Sequence, residues 1–470
     1  MAVSFVPADA VDILDSPEEI LSTLHRDGQR RWMYPRESGG RYLVRRRLVA
    51  WALVAFFVAL PIVRVGGRPA VLLDVAAREF TFFGTTFFPT DTVLLLLLAV
   101  TVGVGIVLFT ALFGRVWCGW ACPQTVYLEF VFRPLERLVE GTESAREKRD
   151  AGPWTPQKAA RKALKWALFL AVAGVLAHVF VSYFAGWDRL LRWMTGDPRE
   201  HPGYFVLMGA TTALVAFDFG VFREQMCTIA CPYARLQSVL LDPDSLLVAY
   251  DETRGEPRGR GKQREGLGDC VDCYACVRTC PVGIDIRDGL QMECVACTQC
   301  IDACDAIMDR VGKPRGLIRY ASEHEIDGEP TRMLRGRTVL YGLLFAGLLA
   351  AFGVSVATRE AYSVTVGRSV GAPYVAMPDG EIANRLVFRV RNQRPAATAF
   401  TVEALAPAGA RVRVIGQTPV PVAAGALVRV EAFVLTTPEV LGGGQAEGRF
   451  RLRFADGTTR DETFALIGPR

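Results

Sequence analysis

Residues 270–281 read CVDCYACVRTCP, and residues 294–304 read CVACTQCIDAC. Both runs are Cys-x2-Cys-x2-Cys-x3-Cys, and Pro281 follows the fourth cysteine of the first. This is the spacing of bacterial ferredoxins with two [4Fe–4S] clusters, in which the fourth cysteine of each run ligates the other cluster. Three closely spaced thiols reach three corners of a cube only from a tight loop, so the fourth corner needs a ligand from elsewhere. On that crossover rule Cys270, Cys273, Cys276 and Cys304 hold one cluster, and Cys294, Cys297, Cys300 and Cys280 hold the other. Four-cysteine zinc sites also use Cys-x2-Cys pairs. Two complete runs only thirteen residues apart favour the cubes.

Working outward, the other four cysteines form a second repeated pattern. WCGWACP at 117–123 and MCTIACP at 226–232 each contain Cys-x-x-x-Cys-Pro, with Cys118 and Cys122 in the first and Cys227 and Cys231 in the second. All 12 cysteines lie between Cys118 and Cys304, which is unlike a secreted disulfide framework. Free thiols at this density are more easily kept in a reducing compartment.

Each pair follows an apolar run. Five stretches, approximately 48–64, 92–113, 166–187, 202–222 and 338–358, approach the roughly 20 apolar residues that a membrane helix needs. The first is short and is broken by Pro61, and the fourth contains Asp218. Lys and Arg number eight in 1–47, nine in 114–163 and sixteen in 223–337, against three each in 64–91 and 187–201. The positive-inside rule then puts the N-terminus, both cysteine pairs and both arrays on the cytoplasmic side, with the C-terminal segment periplasmic. The first forty residues lack an apolar core or a cleavage site, so no signal peptide is expected. The net charge of +5 is spread out, which excludes a nucleic-acid footprint.

Prolines after Cys122 and Cys231 mark these residues as helix N-caps. A thiol there is expected to have a lowered pKa. The stretch after Cys122, PQTVYLEFVFRPLERLVE, reads as an amphipathic helix lying on the membrane surface, which Pro134 can kink. Soft thiolates prefer Cu(I) but also take zinc or a further Fe–S cluster, and four structural thiols are the plain alternative. His178 has no partner histidine at haem spacing, Asp218 can pair with Arg223 or face the thiols, and Met226 is a core residue or a thioether ligand. No glycine-rich nucleotide motif opens a helix after a strand, so electrons must come from outside the chain.

The tail alternates at period two in RLVFRVRN, ARVRVIG, ALVRVEAFVL and GRFRLRFADG, as expected of a β-sandwich of about seven strands. The expected organisation is a multidomain membrane protein. It has a cytoplasmic segment at 1–47, four membrane helices with the Cys-x3-Cys-Pro pairs at 48–250, a two-[4Fe–4S] ferredoxin-like domain at 251–322, a fifth span at 337–358, and an all-β immunoglobulin-like sandwich at 359–470.

With these residues in hand, the chain resembles the cytochrome c oxidase accessory protein family, known as FixG, CcoG or RdxA. The carrying stretches are GRVWCGWACPQTVYLEFVFRPLER, REQMCTIACPYARLQSVLLDPDSLLVAYD, the two arrays and KPRGLIRYAS, with no cysteine missing. The match runs from about Tyr34 to the C-terminus, specific through residue 322 and looser beyond. The resemblance implies a bacterial inner-membrane protein that assembles the cbb(3)-type oxidase, its clusters reducing Cu(II) to Cu(I). It adds copper as a cofactor or substrate of Cys118, Cys122, Cys227 and Cys231. The expected partners are membrane lipid, an external electron donor, copper transporters or chaperones and oxidase assembly factors, with a homodimer admitted. The alternatives are a quinol-linked electron-transfer subunit and a non-enzymatic copper carrier or redox sensor.

Overall fold

Apolar length sets the first feature of the computed structural model, which describes residues 22–25, 29–88, 91–261, 265–394 and 396–469. Of the expected N-terminal segment 1–47, residues 1–21 and 26–28 lie outside these. Among the described residues four helices are long and apolar enough to cross a membrane: Thr92–Phe113, Pro156–Ala185, Pro202–Phe222 and Gly336–Ala357. Exposed Leu96, Val175, Val206 and Leu343, one on each, show that they are apolar on their outer faces.

The expected span at 48–64 is not one of the four. Residues 48–59 of it fall in helix α1, Arg41–Ala59, whose first seven residues include Arg41, Arg45, Arg46 and Arg47, and the chain turns at Pro61. The apolar part alone is about 20 Å long at 1.5 Å per residue, short of a ~30 Å hydrocarbon core. The other long helices are α2 (Thr92–Phe113), α3 (Pro156–Ala185), α4 (Pro202–Phe217, continued by a π turn over Asp218–Phe222) and α5 (Gly336–Ala357).

The chain divides into two units, one of residues 1–64, 69–77 and 96–351, the other of 65–68, 78–95 and 352–470. In the first, strand Leu247–Tyr250 pairs antiparallel with Ile318–Ala321 and brackets the two cysteine arrays. The cysteine-rich fold therefore starts inside the segment expected to be membrane helices. The N-terminal segment also joins it: Ser22 Oγ donates to Val282 O at 2.7 Å, Ser38 Oγ to Gln299 O at 2.9 Å, and Arg36 N to Arg278 O at 2.9 Å. Asp302, between the last two cysteines of the second array, accepts from Tyr42 N and Leu43 N at 3.1 and 2.7 Å and so caps α1. A Cβ on Gly40 would fall 2.2 Å from Asp302 Cγ, so glycine permits this approach.

The stretch expected to be a surface helix is instead buried. It runs as Pro123–Tyr127, a π turn at Leu128–Phe132 and Arg133–Glu140. The π turn precedes Pro134, whose ring would clash with the carbonyl four residues back in a regular helix. Its polar side is buried too. Glu136 pairs with Arg223 at 2.8 Å and Arg146 at 2.6 Å, and Arg133 pairs with Glu129 and, at 3.4 Å, with Glu224. Buried ions need such partners, and these pairs allow the polar side of the helix to be buried along with its apolar side.

In the second unit, among the described residues of the C-terminal segment 359–470, nine strands rather than about seven form two antiparallel sheets. One has the order Arg411–Val414, Leu427–Thr436, Ile382–Asn392, Tyr362–Arg368, with Val375–Ala376 on Ile382–Asn392; the other has Val420–Val422, Thr398–Ala406, Gln445–Phe454, Thr459–Ile467. The strands of two and three residues are too short to show a period-two pattern. Alternate residues Leu386, Phe388 and Val390 meet Phe450, Leu452 and Phe454 in the core.

Candidate metal centres

In each array, the residues on either side of the middle cysteine adopt left-handed backbone. Asp272 and Tyr274 have φ of 51° and 56° around Cys273, and Ala296 and Thr298 have 52° and 62° around Cys297. Side-chain-bearing residues adopt this conformation at a cost, and it curls each loop tightly enough to turn three thiols inward. The helix Ala275–Thr279 then ends at the fourth cysteine of the first run, Cys280, and the helix Gln299–Val311 carries that of the second, Cys304. One cavity is lined by Cys280, Cys294, Cys297 and Cys300, and by Cys276, which it shares with the next. Another is lined by Cys270, Cys273, Cys276 and Cys304. The rest of both linings is largely apolar, including Val282, Ile284, Ile286, Met308 and Ile318. Four thiols around an apolar hollow, on loops that cannot relax to ordinary backbone, fit a cube with four thiolate ligands.

The two Cys-x3-Cys-Pro motifs have one local geometry. In both, the first cysteine donates its N–H to the carbonyl three residues back (Arg115 at 3.0 Å, Glu224 at 3.1 Å), and the second to the carbonyl five back (Trp117 and Met226, each 2.8 Å). Cys122 and Cys231 stand in extended conformation as N-caps of Pro123–Tyr127 and Pro232–Leu240. Polar side chains stitch the motifs together. Cys118 Sγ donates to Gln237 Oε1 at 3.1 Å, and Gln124 Nε2 donates to Arg223 O at 2.9 Å and Asp218 Oδ1 at 3.1 Å. Asp218 thus faces the thiols rather than Arg223, which is committed to Glu136.

Cys118, Cys122, Cys227 and Cys231 lie within electrostatic reach of one another, and Cys118 also within reach of Cys294. Among the described residues no three Cys, His, Asp or Glu side chains converge on a single-ion position. Burial pushes the Cys118 thiol up to about 12, with Cys122 adding to the shift and Arg115 opposing it. Burial raises Cys122 as well, although the N–H groups of Gln124 and Thr125 act the other way. The expected lowering at this cap is therefore overturned, because a five-residue helix offers a weak dipole and desolvation outweighs it.

Gly119 joins the two systems. A Cβ there would fall 2.4 Å from Ala296 O and 2.8 Å from Val295 O, so the WCGWACP backbone lies directly on the second array. Cys118 and Cys227 accordingly pack in one apolar core with Cys276, Cys297 and Cys304. Trp120 Nε1 donates to Tyr320 OH at 2.9 Å beside it. Sequence reasoning missed Gly119, Gln124, Gln237, Arg46 and Arg115. The glycine of WCGWACP, standing where MCTIACP has threonine, was the one available signal.

Comparison with known proteins places the chain. It is 36% identical over 423 residues to protein RdxA of Cereibacter sphaeroides, covering 87% of this chain and 89% of the relative. The chain belongs to the FixG/RdxA family. Nitrogen fixation protein FixG of Rhizobium meliloti is 33% identical over 440 residues, covering 83% and 82%, and protein RdxB of C. sphaeroides is 36% identical over 409, covering 83% and 84%. Residues 222–323 match a 4Fe–4S dicluster domain, 95–140 a 4Fe–4S binding domain, and 352–469 the IG-like fold at the C-terminal of FixG. With two 4Fe–4S binding domains and four apolar helices, the chain is an iron–sulfur electron-transfer protein of this family with the make-up of a membrane protein.

Proposed function

We propose that this FixG-family chain reduces Cu(II) to Cu(I) for assembly of a cbb(3)-type oxidase, binding the ion at Cys118, Cys122, Cys227 and Cys231. The carrying observation is the seating of Gly119 on Ala296, which sets Cys118 beside the array that contains Cys294 and Cys297. Clusters bound by the two arrays would supply single electrons at that point. Cys118 and its three companions draw together from their present spacing to bind the soft ion, and Gln237 and Gln124 hold the two motifs in register. The balance is simple: a low-potential one-electron donor is oxidised, and Cu(II) gains that electron.

The concentration of Lys and Arg in 1–47, 114–163 and 223–337 supports a cytoplasmic site by the positive-inside rule.

Anaerobically purified protein should contain about eight irons and reduce Cu(II), and Cys118→Ser with Cys231→Ser should slow that reduction at least tenfold. An unchanged rate removes the thiols from the reaction. About twelve irons would assign them to a third cluster and overturn the copper reading. A groove lined by Val239, Leu241, Leu290, Met292 and Cys294 favours a second reading, entry of electrons from a membrane quinol. That reading requires cluster reduction by a quinol analogue without copper.

A further inference from the structure

Arg46 differs from the other deeply buried arginines of this unit. Arg133, Arg146 and Arg223 each pair with a carboxylate. Arg46 is wholly buried, and its Nε donates to Gly119 O at 2.9 Å. Its Nη1 and Nη2 have no partner among the described residues. The guanidinium lies 5.3 Å from the Phe130 ring centroid, and its charge acts on Cys297. The nearby carboxylate of Glu129 is occupied by Arg133 and Gln299. Arg115 adds a second buried cation without a carboxylate. Its Nη groups donate to the carbonyls of Met292, of Cys294 at 3.2 Å and of Ala234 at 2.7 Å.

The other array is surrounded differently. Its arginine, Arg287, is neutralised by Asp285 at 2.5 Å and Asp272 at 2.8 Å, and Cys273 is exposed. A buried cation without a counter-ion is costly unless negative charge arrives beside it. Four thiolates around a cube bring such charge, and reduction adds more. An uncompensated guanidinium therefore stabilises the reduced form, whereas a neutralised one beside solvent does so much less.

We infer that Arg46 is the charge partner of the cluster that Cys280, Cys294, Cys297 and Cys300 would hold, and that it sets that cluster's reduction potential above its neighbour's. Electrons then enter beside exposed Cys273 and leave through the cluster against the Cys-x3-Cys-Pro thiols. Arg46 is a positioning residue of this path and touches no substrate.

The inference rests on the two-cluster reading and not on copper. Wild-type protein with fewer than about eight irons counts against that reading before any variant is compared. The test is an EPR-monitored redox titration of the full-length chain without copper, comparing Arg46→Gln, Arg46→Met and Arg46→Lys. The signal that Cys297→Ser alters identifies the cluster. Both neutral variants should lower that cluster's midpoint by at least a tenfold change in its reduction equilibrium, about 59 mV for one electron, and leave the other cluster's midpoint in place. Arg46→Lys should stay near wild type. If the neutral variants lose iron while Arg46→Lys keeps its iron and its midpoint, charge compensation is again supported. Unchanged midpoints in iron-replete neutral variants, equal shifts of both clusters, or a lysine variant that behaves like glutamine overturns it.

Discussion

Gly119 has no space for even a methyl group, and the obstacle is the backbone of the second array rather than a flexible side chain. Gly119→Ala must push that loop away, at about 1–3 kcal/mol of overpacking strain. Iron analysis and thermal melts should show loss of iron from the second array together with a lower melting temperature. Glu136 makes a second prediction at this scale. Burial pushes its carboxyl up, but Arg223, Arg146 and Lys165 outweigh burial and hold it well below the usual carboxylate range. Its stabilising contribution is therefore complete above the unfolded glutamate pKa of about 4.3 and fades as pH falls through the lower folded value. Glu136→Gln leaves buried cations unpaired and should cost about 3–5 kcal/mol near neutral pH. Denaturant unfolding at a series of pH values should show the gap between wild type and variant narrowing as pH drops below about 4. Glu136 carries no spacing signal in the sequence, and Gly119 stands out only because threonine holds the matching place in MCTIACP.

Among the elements, α1 carries the largest difference between expectation and structure. Read as a weak first span, it is also the piece that Asp302 anchors to the second array, which sets Arg46 one turn inside the fold. Its four arginines look like an ordinary positive-inside flank, and only packing shows that one of them is buried. If α1 crosses the membrane, alkaline phosphatase fused at residue 76 is active and at residue 260 inactive. Inactivity at residue 76 with activity at residue 260 removes the fifth crossing, because α2, α3 and α4 alone then separate the two positions. The helix after Cys122 shows the reverse error. Its apolar spacing is real, yet its polar face meets Arg223 and Arg146 inside the protein rather than lipid headgroups. Hydrophobic periodicity records which residues avoid water, and it does not tell a charged face in water from a charged face paired in the interior.

At the scale of the whole molecule, all 12 cysteines belong to one unit, and the β-sandwich of the other has its own apolar core. Removing iron with a chelator under mild oxidation should therefore lower the thermal transition of the cysteine-rich unit and leave the sandwich transition in place, as calorimetry can record. A single transition that shifts as a whole would show the two units to be coupled. The array spacing, the paired proline-capped motifs, the long apolar runs and the alternating tail were all legible in the chain alone, because each is a short-range pattern set by ligand spacing, helix length or strand pleat. Tertiary structure alone decided that Gly119 rests on Ala296, that Asp302 caps α1, and that Arg46 lies buried without a counter-ion beside Cys297. Such relations join residues tens to hundreds of positions apart, and they arise from close packing and from the demand that buried charge find a partner, neither of which leaves a local pattern in the sequence.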